Sequence, residues 1–177
     1  MNDSASSLIE EALDLIHSSS ATCVSDVLGA ICRDAGADCG VLLSLVASSY
    51  LEFDALYGYP EADVLRFRCG RRVLKLDDNI SLCVRVLRES VGNVDPEPRV
   101  FPGNHPDQYK IGDGIAETLI YPIPLRDRFL GTLALESLGE SVLSELACRP
   151  DRKALRNLCT LGNSGLARAP ERRLPLQ

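Results

Sequence analysis

The feature that most constrains the fold is an apolar stretch over residues 116–137, which reads as two strands joined by a short charged turn. In both predicted strands, residues 118–125 and 129–136, bulky apolar side chains recur at alternate positions, which is the period of a β-strand. The positions between them are mostly apolar as well, so we expect other elements to cover both faces of this hairpin. A hairpin buried on both sides belongs in the interior of a sheet.

Composition and charge exclude several classes of function. Hydrophobic residues make up 45% of the 177 positions and charged residues 25%, values typical of a globular domain. The net charge of −6 argues against a nucleic-acid surface, which needs clustered Lys and Arg. No apolar run approaches the roughly 20 residues that span a bilayer, and the acidic N-terminus lacks the basic start of a secretion signal. We therefore expect a cytoplasmic protein without nucleic-acid or membrane partners.

The seven cysteines indicate neither a disulfide framework nor a metal site. Their number is odd, their spacing is irregular and no C-x-x-C motif occurs. We expect most of them to be small buried side chains.

The order of the remaining segments predicts an α+β domain. Helices are predicted over residues 4–17, 24–36, 61–69, 80–90, 139–148 and 151–167, and strands over residues 39–47, 50–57, 71–76, 118–125 and 129–136. Such an order favours a central antiparallel sheet of five or six strands with helices packed on its faces. Residues 1–168 are expected to form a single domain, and the polar tail at residues 169–177 to be disordered.

Residues 92–114 are predicted to form a long irregular loop. The segment has four prolines and four glycines and no apolar period. Loops of this length inside compact domains are usually functional or disordered. Because the segment leads directly into the apolar hairpin, we interpret it as the cover of a ligand pocket.

Together these segments resemble a GAF domain. The resemblance is carried by the helical sequence SLCVRVLRE, the following VGNVDP, and the hairpin TLIYPIPLRDRFLGTLALES, in the family's order and spacing over residues 20–160. It implies a small-molecule pocket roofed by residues 94–115. It also implies N- and C-terminal helices that lie together and pair into a homodimer. Because the fold hosts many functions, the site residues must decide which one applies.

None of the ligand chemistries that the resemblance suggests is matched in full. Covalent bilin attachment needs a Cys followed directly by His, whereas Cys83 is followed by Val84. The pattern of cyclic-nucleotide GAF domains is not found. Free methionine sulfoxide reductases are similar at the VFPG sequence and at Glu117, where the resemblance places their ligand-binding carboxylate. Their nucleophilic Cys, however, has no counterpart in residues 104–115. The resemblance therefore implies a relative in fold that cannot run that reaction.

Two residues leave alternatives open. His105 could be a haem ligand, a pH-sensitive pocket lid or a solvated loop residue, although no second ligand lies at a useful spacing. Cys83 is either a redox-sensitive thiol beside the pocket or inert packing. The side chains that we expect to contact a ligand are polar or aromatic and lie at inward or loop positions: Cys83, His105, Tyr109, Glu117 and Tyr121.

Three functions remain open at this point. The leading hypothesis is a sensory or regulatory module that binds a small ligand under residues 94–115 and signals through its terminal helices to a partner protein. The alternative is a ligand-free scaffold or adaptor that acts by dimerisation or partner binding. The third is a divergent thiol-dependent reductase in which Cys83 or Cys69 replaces the missing loop nucleophile. The sequence names no cofactor, metal site or catalytic residue.

Overall fold

The chain was analysed as a computed structural model that describes residues 24–148, except residues 71–72, 78–80, 94–95, 109–110 and 126–127. The helices predicted over residues 4–17 and 151–167 and the predicted tail lie outside these residues. The described elements are α1 (Val24–Ala35), β1 (Cys39–Val46), β2 (Tyr50–Tyr57), α2 (Glu61–Gly70), β3 (Val73–Lys75), α3 (Leu82–Glu89), β4 (Arg99–Pro102), β5 (Glu117–Leu125), β6 (Arg128–Ser137) and α4 (Val142–Cys148). Within this part of the chain, no helix combines the length and the apolar character needed to cross a membrane.

The six strands form one antiparallel sheet in the order β3-β2-β1-β6-β5-β4. Strand β6 lies between β1 and β5, and β5 lies between β6 and β4. The predicted hairpin is therefore in the interior of the sheet, as its two apolar faces require. The α+β class and the strand number agree with the prediction.

Two apolar cores cover the two faces of the sheet. On one face, which we call the α3 face, Val41, Ile120 and Ala134 pack against the buried side of α3. On the other, the α1/α4 face, Leu119 and Leu133 pack with residues of α1 and α4. The alternation of neighbouring strand positions between the two cores is the period-2 pattern read from the sequence. The first and last described helices thus share one face.

The prediction of an uninterrupted loop over residues 92–114 is wrong at residues 99–102, which form strand β4 and pair with β5. Its four residues are too few to show a period, and Pro102 at its end argues against a strand. An edge strand tolerates proline because one of its sides makes no ladder hydrogen bonds. The irregular segment that follows is therefore shorter than expected. We call residues 103–108 and 111–115 the cover loop.

Candidate functional site

A cavity of about 170 Å³ lies between the cover loop and strand β6. At roughly 30 Å³ for each molecule in the liquid, this volume corresponds to about six waters. The described side chains that line it are Asn104, Gln108, Ile111, Asp113, Ile115 and Glu136. All of them except Glu136 belong to the cover loop. The cavity therefore lies between this loop and one buried carboxylate.

Glu136 reaches the cavity because of the register of three neighbouring strands. It pairs with Cys39 on β1 and with Thr118 on β5, and cross-strand partners share a face of the sheet. Because Ala134, two positions earlier, belongs to the α3 core, this face is the α3 face. Glu136 is only 1% exposed. A carboxylate in that position needs hydrogen-bond donors.

Two donors from distant parts of the chain meet the carboxylate. The Tyr59 hydroxyl donates to Oε2 of Glu136 at 2.5 Å, and Nε2 of Gln108 donates to Oε1 at 2.7 Å. The same Gln108 nitrogen donates to the Thr118 hydroxyl at 2.5 Å. Oε1 of Gln108 is buried and has no hydrogen-bond partner among the described residues. The polar cluster therefore retains an unused acceptor beside the cavity.

Burial dominates the electrostatics of this cluster. It raises the pKa of Glu136, against the opposing effect of the hydrogen bonds from Tyr59 and Gln108. Burial, followed by the nearby Glu136 carboxylate, raises the pKa of Tyr59 well above its usual value. Tyr59 consequently keeps its proton near neutral pH and acts as a donor. The carboxylate has polar partners but no cationic one among the described ion pairs.

The cover loop is attached to both β5 and α3. The Gly103 amide donates to the carbonyl of Ala116 at 2.8 Å, and a Cβ on Gly103 would lie 1.8 Å from the carbonyl oxygen of Ile115. Only glycine allows the two ends of the loop to approach so closely. Further along, Asp107 accepts the Leu82 amide at 3.2 Å, and its carboxylate pairs with Arg85. These contacts hold the cover loop in place over the cavity.

Of the predicted site residues, Cys83 and His105 lie on the cavity side of the sheet but do not line the cavity. Cys83 is fully buried in the core between α3 and the sheet. His105 is half-buried, accepts the Asp107 amide on Nδ1 at 3.2 Å, and packs edge-on against Phe101 with ring centroids 5.7 Å apart. Tyr109 lies outside the described residues.

Glu117 and Tyr121 lie on the α1/α4 face, opposite the cavity. Tyr121 is buried in the core of that face. The half-buried Glu117 accepts hydrogen bonds from the amides of Leu143 and Ser144, at 3.0 and 3.4 Å, and from the Ser144 hydroxyl. These bonds, the one from the hydroxyl most strongly, lower the pKa of Glu117. The structure therefore does not bring the predicted set together, and ligand contact by these residues stays a prediction.

This arrangement offers little support for a bound metal ion, a haem or a bilin. Within the described ranges, no group of three or more His, Cys, Asp or Glu side chains could hold a metal ion. A cavity of about 170 Å³ is also below the roughly 300 Å³ at which pockets for drug-sized ligands begin. The site suits a smaller molecule than a haem or a bilin.

Sequence reasoning missed the residues at the centre of the cavity, namely Glu136, Gln108 and Tyr59. One signal was present: Glu136 is an acid at the end of a strand whose two faces are otherwise apolar. Nothing local marks Gln108 or Tyr59, because they approach Glu136 from 28 and 77 residues away.

No protein-family model matches this chain, and neither does any curated protein. The described residues define an α+β domain in which a loop closes a small cavity over an antiparallel sheet. Solved structures identify this arrangement as the GAF fold. The GAF domain of a phosphoenolpyruvate-protein phosphotransferase from Acinetobacter matches with a TM-score of 0.69 and 16% identity, over 94% of this chain and 95% of that chain.

Two further structures place the chain in the same fold. The GAF domain of a phosphoenolpyruvate-protein phosphotransferase from Coxiella burnetii matches with a TM-score of 0.62 and 15% identity, over 92% of both chains. The free methionine-R-sulfoxide reductase from Neisseria meningitidis, in complex with its substrate, matches with a TM-score of 0.58 and 12% identity, over 92% of this chain and 86% of that chain. Identities this low establish the fold and leave the function to the site.

Proposed function

We propose that this chain is a sensory or regulatory module that binds a small molecule in the Glu136 cavity. Binding would alter its terminal helices and thereby its association with a partner protein or a second copy of itself. The observation that carries the proposal is the buried Glu136 carboxylate at the base of a cavity that the cover loop closes. Burying a charge is costly, and an apolar side chain would fill this position of a sheet more stably if it served only the fold.

A route from the cavity to α4 supports the regulatory part of the proposal. Thr118 on β5 bonds to Gln108 of the cover loop, while the adjacent Glu117 bonds to the first turn of α4. Successive strand residues point to opposite faces. A shift of β5 caused by a ligand under the loop would therefore be felt directly by α4.

The alternative is a scaffold without a ligand, and one observation favours it. Glu136 already accepts two hydrogen bonds, so the cavity could hold only water. The reductase hypothesis is weaker in its Cys83 form. A catalytic thiol needs exposure and thiolate character, and Cys83 is completely buried.

Thermal unfolding across a panel of small metabolites tests ligand binding. The variants are Gly112→Leu, which adds bulk to the wall of the cavity, and Gly112→Ala, whose added Cβ would make ordinary contact with Tyr59 at 3.5 Å. A ligand at about 100 times its Kd adds roughly 2.7 kcal/mol. For a domain of this size we expect the Tm to rise by about 5 °C or more, in the wild type and Gly112→Ala but not in Gly112→Leu. A flat panel, with Gly112→Leu as stable as the wild type, would favour the scaffold.

Amide hydrogen exchange tests the route to α4. A ligand found in the panel should slow exchange at Leu143 and Ser144, whose amides bond to Glu117. Thr118→Val keeps the shape of the side chain and removes the hydroxyl that Gln108 contacts, so binding should persist while the effect at α4 falls. An undiminished effect in Thr118→Val would exclude this route.

A further inference from the structure

We infer that the ligand of this cavity is a small organic cation, bearing a primary ammonium or similar N–H donor group, with Glu136 as its counter-ion. The inference rests on the proposed function and adds the chemical class of the ligand. It depends on the charges of the described wall residues, on unused hydrogen-bond acceptors and on the lack of a cationic partner for Glu136 among the described ion pairs.

The described part of the cavity wall carries negative charge. Among the described lining residues the ionisable side chains are Asp113 and Glu136, and none is Lys, Arg or His. The described basic residue attached to the cover loop, Arg85, already pairs with Asp107 and does not line the cavity. An anion in this space would be repelled by the buried Glu136 carboxylate and by the exposed Asp113 carboxylate at the wall, whereas a cation would be attracted by both.

The hydrogen-bonding groups of the wall have acceptor capacity to spare. A carboxylate offers about four lone-pair sites, and Tyr59 and Gln108 occupy two of those on Glu136. Oε1 of Gln108 is a further buried acceptor without a partner in the described part of the chain. An ammonium group has three donors and no acceptor. An ammonium group would therefore supply the hydrogen-bond donors that the unused acceptors of this cavity need.

The desolvation of Glu136 also favours a cationic ligand. The carboxylate is 1% exposed, and the described ion pairs do not include it. Burial without an opposite charge disfavours the ionised form. A bound cation would supply that charge next to a buried carboxylate, where the attraction is stronger than between two exposed groups.

The cation is organic rather than a metal ion. A Ca²⁺ site takes six to eight oxygen ligands, and no cluster of three or more ligating side chains exists among the described residues. Tyr59 and Gln108 also present O–H and N–H donors to the carboxylate. Such donors suit an assembly of hydrogen bonds and not the first coordination sphere of a metal.

Three compounds of equal length and different charge test the inference: n-butylammonium chloride, n-butanol and sodium butyrate. Each is titrated into ¹⁵N-labelled full-length protein at constant ionic strength, and amide shifts of Gly103, Ile111, Gly112 and Gly114 report on the cavity. We expect saturable shifts with n-butylammonium and at least tenfold weaker binding of the other two. Glu136→Gln should weaken n-butylammonium at least tenfold, whereas Glu140→Gln, an exposed acid elsewhere, should leave it unchanged.

Glu136→Asp keeps the charge and provides a second test in case Glu136→Gln does not fold. It should retain more of the n-butylammonium binding than Glu136→Gln does. Tighter binding of n-butanol or sodium butyrate at the cavity amides would overturn the cation inference and leave the proposed function standing. Shifts that are scattered over surface acids and unchanged in Glu136→Gln would overturn it as well. Failure of the proposed function itself is recognised separately, by a flat metabolite panel and an unaffected Gly112→Leu variant.

Discussion

Two glutamates at the same end of the β5–β6 hairpin experience opposite environments. Glu136 on β6 points to the α3 face and is buried under the cover loop, where desolvation raises its pKa. Glu117 on β5 points to the α1/α4 face and is half-buried at the start of α4, where hydrogen bonds lower its pKa. Their strand positions differ by one step, since Thr118 pairs with Glu136 and Glu117 with Ser137. Strand alternation alone thus sends one acid to a cavity and the other to a helix.

The difference shows what each carboxylate contributes to the fold. Glu117 satisfies amides at the N-terminus of a helix, a stabilising arrangement for a negative charge. Glu136 has neutral donors from two distant segments and no cationic partner among the described ion pairs, so its burial is unfavourable unless something else compensates. Stability explains Glu117 without any ligand. It does not explain Glu136.

The largest effect should come from reversing the charge of Glu136. In Glu136→Lys, Tyr59 and Gln108 would present donors to a buried ammonium that has no acceptor. We expect a loss of about 3–5 kcal/mol in the free energy of unfolding, measured by urea denaturation. Glu140→Lys, at an exposed position, should change it by less than about 0.5 kcal/mol. A loss below about 1 kcal/mol in Glu136→Lys would contradict the burial of this side chain.

A smaller effect is expected on the other face. Glu117→Ala removes the acceptor for the Leu143 and Ser144 amides and should cost about 1 kcal/mol. Hydrogen exchange should become faster at these two amides and stay unchanged at cavity residues such as Ile111. Glu145→Ala, an exposed acid within α4, is the matched control and should leave exchange at the start of α4 nearly unchanged. Equal acceleration on both faces would contradict the separation of the two sites.

The hairpin and its two covered faces could be predicted from the sequence because apolar residues occupy both parities of β5 and β6. In the structure this alternation places Glu117 and Tyr121 on one face. It could not say which of two buried faces the cover loop would close, because a period of two is symmetric between them. The loop closes the opposite face, over Thr118 and Glu136. Sequence reasoning therefore found the correct hairpin, and two of its predicted site residues, Glu117 and Tyr121, lie on the face opposite the cavity.

The polar cluster around Glu136 and the edge strand β4 could not be predicted from the sequence, for two different reasons. The contacts of Glu136 join segments 28 and 77 residues apart, and such pairings depend on the tertiary fold, which local patterns do not report. Strand β4 was hidden because proline and short length are both strand-breaking signals, although an edge position relaxes them. Both features border the cavity, so the part of the molecule that the sequence predicted least well is the candidate site.

The smallest effect, and the sharpest comparison of the two acids, is in pH dependence. Because the pKa of Glu117 is lowered by folding, its contribution is present above the unfolded value of about 4.3 and is lost as pH falls through the folded value. Glu117→Gln should therefore be most destabilising near pH 7 and less so near pH 4. Glu136 has a raised pKa, so the wild type loses stability as pH rises from about 4.3 through the folded value.

Glu136→Gln removes this loss, and its stability relative to the wild type should rise with pH. Urea unfolding of both variants between pH 4 and 7 measures the two slopes. Tyr59 and Cys39, which face Glu136, have raised pKa values and stay neutral over this range. Slopes of the same sign for Glu117→Gln and Glu136→Gln would mean that the two faces do not differ electrostatically, and that Glu136 is stabilised within the fold without a bound cation.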